Sequence, residues 1–281
     1  MRVSAAGLVD RYEGGRLLDW LMDDRGRLVF GYIALHLHFT RTADDPASGL
    51  LPTRMKELCA ELGVCSPGRV VAMLSLMHFA GYLAPDAEVS DRRHRRLVAT
   101  DKLVALLMDR WRLHFSAMTP LFPDGEAMLA GLDDPKFVRA LMRAMFDRFR
   151  AGFRVVTHAP GIGLFGERNA GMMILTSLLV SGEPDDSVPP ARPVPFSISA
   201  LARRFSVSRP HVLKLMRDAA AAGLIERVGD DGARVVLRRE LAVAAQNVFA
   251  TMFLYYAACA RDALREMHAG RVTGPHAASR E

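Results

Sequence analysis

The chain has 281 residues, half of them hydrophobic and 24% charged, enough for two domains with packed cores and too apolar for a disordered chain. Its formal net charge of +6, carried mostly by arginine, favours an anionic partner. Its three cysteines (Cys59, Cys65, Cys259) have neither CxxC nor Cys/His spacing, and its longest apolar run, Ala170–Val180, is too short for a bilayer, so a zinc site, a disulfide framework and a membrane span are all excluded from the expectation.

In chain order, residues 1–25 read as an N-terminal helical segment without the apolar stretch of a signal peptide. A first block, 26–118, opens with the apolar helix candidate RLVFGYIALHLHF and a Pro- and acid-rich loop, Thr42–Pro52. A helix face then repeats as Met55, Leu58, Cys59 and Leu62, and Ser66–Pro67 opens a second helix that stops at Gly81. A strand pair with a charged tip follows. Residues 119–165 read as a helical connector, whose segment Pro135–Ala151 carries Phe137, Leu141, Met145 and Phe149 at every fourth position. A second block, 166–267, repeats the order: the apolar RNAGMMILTSLLV, the loop Ser181–Pro195, a helix face of Ile198, Leu201, Ala202 and Phe205, and a helix opened by Ser208 and stopped at Gly223. Residues 268–281 read as a flexible tail.

The two blocks align residue by residue. Met55, Leu58, Cys59 and Leu62 match Ile198, Leu201, Ala202 and Phe205, and Val64 matches Val207. After a slip of one residue in the turn, Val70, Leu74 and Gly81 match Val212, Met216 and Gly223. Both glycines stand where a helix C-terminus needs positive φ. The fold class expected is mainly α with small β wings: two tandem winged helix-turn-helix units, arranged as a pseudo-dimer within one polypeptide.

The blocks differ in their polar residues. In the second helix of the second block, Val212, Leu215, Met216 and Ala219 fall on one side, and Arg209, His211, Lys214 and Arg217 on the other, a donor-rich face suited to base edges and phosphates in a major groove. The matching helix of the first block has one charge, Arg69, between Ser66 and Met77, with Ala72 and Ser75 where the second block has Lys214 and Arg217. Either this helix reads bases sparingly while its wing holds the duplex, or it is a protein-contact surface. Its wing tip, Asp91–Arg96, packs four arginines and a histidine into six residues, which phosphates and a narrow minor groove attract. The second wing is less basic: Arg227 and Arg234 flank Gly-Asp-Asp-Gly.

The segment GYLAPDAEVSDRRHRRLVATDKLVALL (Gly81–Leu107) resembles the multiple-antibiotic-resistance-regulator (MarR) type of winged helix-turn-helix proteins. The likeness lies in the Gly that ends the second helix, the Asp91-Arg92-Arg93 tip, the strand residues Leu97 and Ala99, and the helix start Thr100-Asp101-Lys102. The resemblance implies that Arg92 or Arg93 enters the minor groove and that Asp91 braces it or the wing backbone. Family members are usually single units that dimerise; two unequal units in one chain imply an asymmetric DNA site rather than a palindrome.

The DNA-binding residues expected are therefore Ser66, Arg69, Ser75, Asp91, Arg92, Arg93, Arg95, Arg96, Ser208, Arg209, His211, Lys214, Arg217 and Arg234. No catalytic or metal-ligating set is expected. The chain has no P-loop or dinucleotide fingerprint; GIGLFGERNAG (Gly161–Gly171) lacks the lysine, and His36 and His38 fall on different helix faces. Trp20, Tyr32, Trp111 and His114 are candidates for lining an effector pocket, Cys59 is a core residue, and Cys65 is a candidate oxidation sensor in the turn. The expected function is a cytoplasmic, nucleoid-associated transcriptional regulator, a repressor or co-regulator on double-stranded DNA. RNA polymerase or another regulator is a candidate further partner, and no cofactor or membrane is expected. The alternative is a protein-interaction adaptor of the chromosome-condensation accessory type, or a plasmid replication initiator.

Overall fold

The computed structural model of the chain describes residues 1–11, 25–42, 45, 48–87, 96–229 and 232–272. It is mainly helical with small antiparallel sheets. The chain divides into two compact units, each built from separate stretches. The first unit is Phe30–Phe153 with Phe253–Glu281, and the second is Met1–Val29 with Arg154–Met252. This cut differs from chain order: residues up to Phe153 join the first block instead of forming a connector from 119 onwards.

In the first unit, most of α2 (Arg25–Phe39) precedes α3 (Pro52–Glu61), which begins at a proline whose fixed φ suits a first helical turn. Met55, Leu58 and Cys59 turn inward as their spacing predicts. The chain reverses at Gly63, at φ +63°, where the Val64 amide donates to the Cys59 carbonyl at 2.8 Å. Then α4 (Pro67–Phe79) starts at Ser66, whose hydroxyl accepts from the Arg69 amide. Gly81, at φ +73°, ends it, and the Tyr82 amide reaches back to the Met77 carbonyl at 2.9 Å. β1 (Leu83–Pro85) pairs antiparallel with β2 (Leu97–Ala99), Leu83 opposite Ala99, and Leu50 bridges to Leu97 on the outer side of β2. α5 (Asp101–Met118) is tied back to α4: the Thr100 hydroxyl donates to the Gly81 carbonyl at 2.8 Å and Lys102 to the Ala80 carbonyl at 2.9 Å. Those bonds satisfy helix-end carbonyls that would otherwise lack partners, and explain the Thr100-Asp101-Lys102 helix start. α6 (Gly125–Gly131) and α7 (Pro135–Arg150) follow, and Phe30, Trp111, Phe115, Phe137 and Leu141 fill the core.

The second unit has α1 (Arg2–Asp10), the short α8 (Gly163–Gly166) and α9 (Gly171–Leu179), then the same succession as the first. α10 (Ile198–Arg204) turns at Ser206 into α11 (Arg209–Ala221), which the Ser208 hydroxyl caps by accepting from the His211 amide at 3.2 Å and Gly223 terminates at φ +69°. β3 (Val194–Pro195), β5 (Arg234–Leu237) and β4 (Ile225–Val228) lie in the order β3–β5–β4. Leu50 beside β2 and β1 has that order too. The repeat thus extends to the strand register: Leu83 faces Ala99 as Ile225 faces Leu237.

α12 (Arg239–Val272) contributes Leu241, Ala245, Val248 and Phe249 to the buried residues of the second unit and Phe253, Tyr256, Ala257 and Ala260 to those of the first. Its portion Arg239–Ala269 is long and apolar enough, by length and composition, to cross a bilayer. A core helix of a soluble protein meets the same criterion, and this one has a buried apolar side. It also runs to Val272, into the stretch expected as a tail from 268.

Candidate nucleic-acid interface

In the second unit, α11 lays Val212, Leu215, Met216 and Ala219 on the core and leaves Arg209, Lys214 and Arg217 exposed, the division its periodicity predicts. Arg209 and Arg217 form no ion pair among the described residues. Lys214 donates to Asp218 one turn on, at 3.0 Å, and Arg168 reaches the same carboxylate at 2.9 Å from the loop before α9. His211 does not stand free. Its Nε2 lies 2.9 Å from the Asn169 carbonyl and so carries the proton there, while the Asn169 side chain accepts from Arg27 at 2.7 Å. Arg168 and Asn169 together tether the outer edge of α11 to this loop. The sequence reading missed both; only the Lys214–Asp218 spacing of four residues signalled part of the network.

The hydroxyls of Ser66 and Ser208, both expected at the DNA, accept from backbone amides as helix caps and set where α4 and α11 begin. In the second wing, Arg234 donates to the Pro193 carbonyl at 2.7 Å, joining β5 to the start of β3. Arg227 donates to the Gly232 carbonyl at 3.0 Å and lies over the Phe196 ring. These arginines brace the wing from within it. Asp230 and Asp231 lie outside the described residues.

In the first unit, Asp91, Arg92, Arg93 and Arg95 lie outside the described residues. Arg96 stands at the root of the wing: its Nε donates at 2.7 Å to Asp86, whose carboxylate also accepts from Arg41 at 2.9 Å. With 12% of the Arg96 side chain exposed and 4% of that of Asp86, this arginine is committed to the hairpin rather than projecting from it. On α4, Arg69 and Ser75 are exposed, and so are two large apolar side chains. Val71 is 47% exposed and Phe79, at the last turn, 89%. Phe79 gave no signal in the sequence, because a phenylalanine near a helix end reads as core.

His36 and His38 diverge as their spacing implies. The His36 ring stacks on Phe146 at 3.8 Å, and its Nδ1 is buried without a hydrogen-bond partner among the described residues. Burial, reinforced by Arg143, Arg54 and Arg150, lowers its pKa to about 4. His38 Nδ1 accepts the Ala99 amide at 3.1 Å, pinning β2 to α2; burial and Arg41 lower its pKa while Asp86 opposes them. Trp111 and His114 are fully buried in the first unit, where His114 stacks on Tyr256 and Tyr32 lies beside that tyrosine. Trp20, the fourth candidate for an effector pocket, lies outside the described residues. Among the described residues no group of three His, Cys, Asp or Glu side chains is placed to hold a metal. No protein-family model, curated protein or solved structure matches the chain.

Proposed function

We propose that the chain is a sequence-specific transcriptional regulator of double-stranded DNA, with two diverged winged helix-turn-helix heads in a pseudo-dimer. The observation that carries this reading is α11: a capped, tethered helix exposing Arg209, Lys214 and Arg217 on one face, followed by a hairpin stiffened by its own arginines. Such a helix offers donors to base edges and phosphates without having to order itself on binding. The first head contributes its basic wing, Arg92, Arg93 and Arg95, with Arg96 holding the wing root. The two heads are unequal, so the site expected is asymmetric. The resemblance of Gly81–Leu107 to the MarR type supports the same reading.

The test is a mobility-shift assay on genomic fragments at two salt concentrations, with competitor DNA. A specific complex that weakens steeply with salt is expected. Arg217→Ala and Lys214→Ala each blunt the preference for the specific fragment, by about tenfold for a lost base contact. Arg93→Ala weakens binding to all sequences alike. No specific fragment would sink the proposal, and equal effects on specific and competitor DNA would reject the division of labour.

The second reading, a protein-interaction adaptor, is favoured by one feature: the apolar surface of α4 with Val71 and Phe79 exposed. It predicts that Phe79→Ser abolishes a protein contact and leaves DNA affinity unchanged.

A further inference from the structure

The helix-turn-helix of the first unit holds two thiols to which the DNA-binding reading gives no role. Cys59 lies on the inner side of α3, fully buried, and Cys65 lies partly exposed in the turn; neither is in a disulfide. The turn brings them together. Gly63 reverses the chain in the left-handed region, the Val64 amide closes onto the Cys59 carbonyl at 2.8 Å, and Cys65 follows Val64 directly, which places the second thiol beside the first. A disulfide needs Cα atoms roughly 4.4–6.8 Å apart, so the oxidised form requires the turn to hold residues 59 and 65 at that separation. The second unit makes the same turn without thiols. Ala202 stands in place of Cys59, and Ser208 follows Val207 directly, so Cys65 is the residue by which the first turn is longer.

We propose that Cys59 and Cys65 form a redox-active dithiol, at which a low-molecular-weight disulfide closes an intramolecular disulfide across the helix–helix turn. Cys65, the accessible thiol, loses its proton and attacks one sulfur of the small disulfide, forming a mixed disulfide and releasing one small thiol. Cys59 then gives up its proton and attacks the Cys65 sulfur, releasing the second small thiol. The dithiol is oxidised by two electrons, the small disulfide is reduced to two thiols, and the two thiol hydrogens of the protein leave with them. The order of events follows from the surroundings. Burial, with Cys65 beside it, pushes the Cys59 thiol up to about 12, so Cys59 is the poorer first nucleophile. The bond would act on the turn immediately before Ser66, which sets the start of α4. The proposal does not depend on what the head binds.

The full chain is equilibrated in mixtures of reduced and oxidised glutathione, trapped with an alkylating reagent and digested with trypsin. Cleavage after Lys56 and Arg69 places both thiols in one peptide, Glu57–Arg69. As the mixture becomes more oxidising, that peptide should lose the mass of two hydrogens and refuse alkylation, while Cys259, fully buried on α12, still alkylates after unfolding. Reductant should restore it, and Cys59→Ser should stop at a glutathione adduct on Cys65. Three results would each overturn the proposal: a doubly alkylated peptide in fully oxidised glutathione, a stable adduct on Cys65 with Cys59 free in the unaltered protein, or equal modification of Cys259 and Cys65.

Discussion

His36 and His38 differ in what they accept. His38 takes the Ala99 amide on its Nδ1, so the neutral ring has a structural task. The Nδ1 of His36 has no partner among the described residues, and its ring stacks on Phe146. An unfolded chain protonates His36 near its ordinary value of 6.5, the folded chain only near 4. Between those values the unfolded state binds the extra proton, so the stability contributed by the neutral ring is complete above the upper value and is lost as pH falls toward the lower one. Between neutral pH and about pH 5 this amounts to about 2 kcal/mol. Denaturant titrations at the two pH values should show that loss in the unaltered protein and a smaller one in His36→Phe, which keeps a flat ring for Phe146. An equal loss in both would place the acid sensitivity elsewhere.

At the scale of elements, the two helix–helix turns solve one problem with different residues. Gly63 and Ser206 both adopt left-handed backbone, at φ +63° and +50°. A side chain at Gly63 would meet nothing within 4 Å, so conformation alone sets its cost. Gly63→Ala should therefore destabilise the first unit by about 1 kcal/mol. Ser206→Gly should gain less than about 1 kcal/mol in the second, because the relief of strain is partly offset by the freedom glycine adds to the unfolded chain. Thermal unfolding of both variants checks the opposite signs. Helices, their serine caps and the terminating Gly81 and Gly223 were legible in the sequence, because spacing and backbone chemistry are local. The commitment of Arg96 to Asp86 and Arg41 was not, since Arg41 lies far from the wing in sequence. The tether from Arg168 and Asn169 to α11 was hidden for the same reason, as these residues precede it by some forty positions. Phe79 was missed because periodicity does not report whether a helix continues beneath neighbouring structure.

At the scale of the whole molecule, each unit is assembled from distant parts of the chain. Phe253, Tyr256, Ala257, Ala260 and Ala263, all on the C-terminal half of α12, are buried in the unit that otherwise ends at Phe153. The Tyr255 hydroxyl donates to the Met145 carbonyl at 2.7 Å, Arg148 is ion-paired with Asp262, and Arg261 with Asp124 at 2.7 Å. A chain ending at Met252 should lose the cooperative unfolding of the first unit while keeping that of the second, and hydrogen exchange should show protection remaining in α9–α11 and lost in α5 and α7. Retained protection in α7 would show that the first unit stands without α12.

This interleaving imposes an order on synthesis. The stretch Met1–Val29 leaves the ribosome before Phe30–Phe153 yet belongs with Arg154–Met252, and Phe30–Phe153 must wait for residues beyond 252. A growing chain therefore holds a nearly whole first unit whose apolar side lacks the residues of α12, for as long as the second unit takes to be translated. Whatever shelters that surface in the interval, a chaperone or provisional contacts along the nascent chain, must let go when α12 arrives.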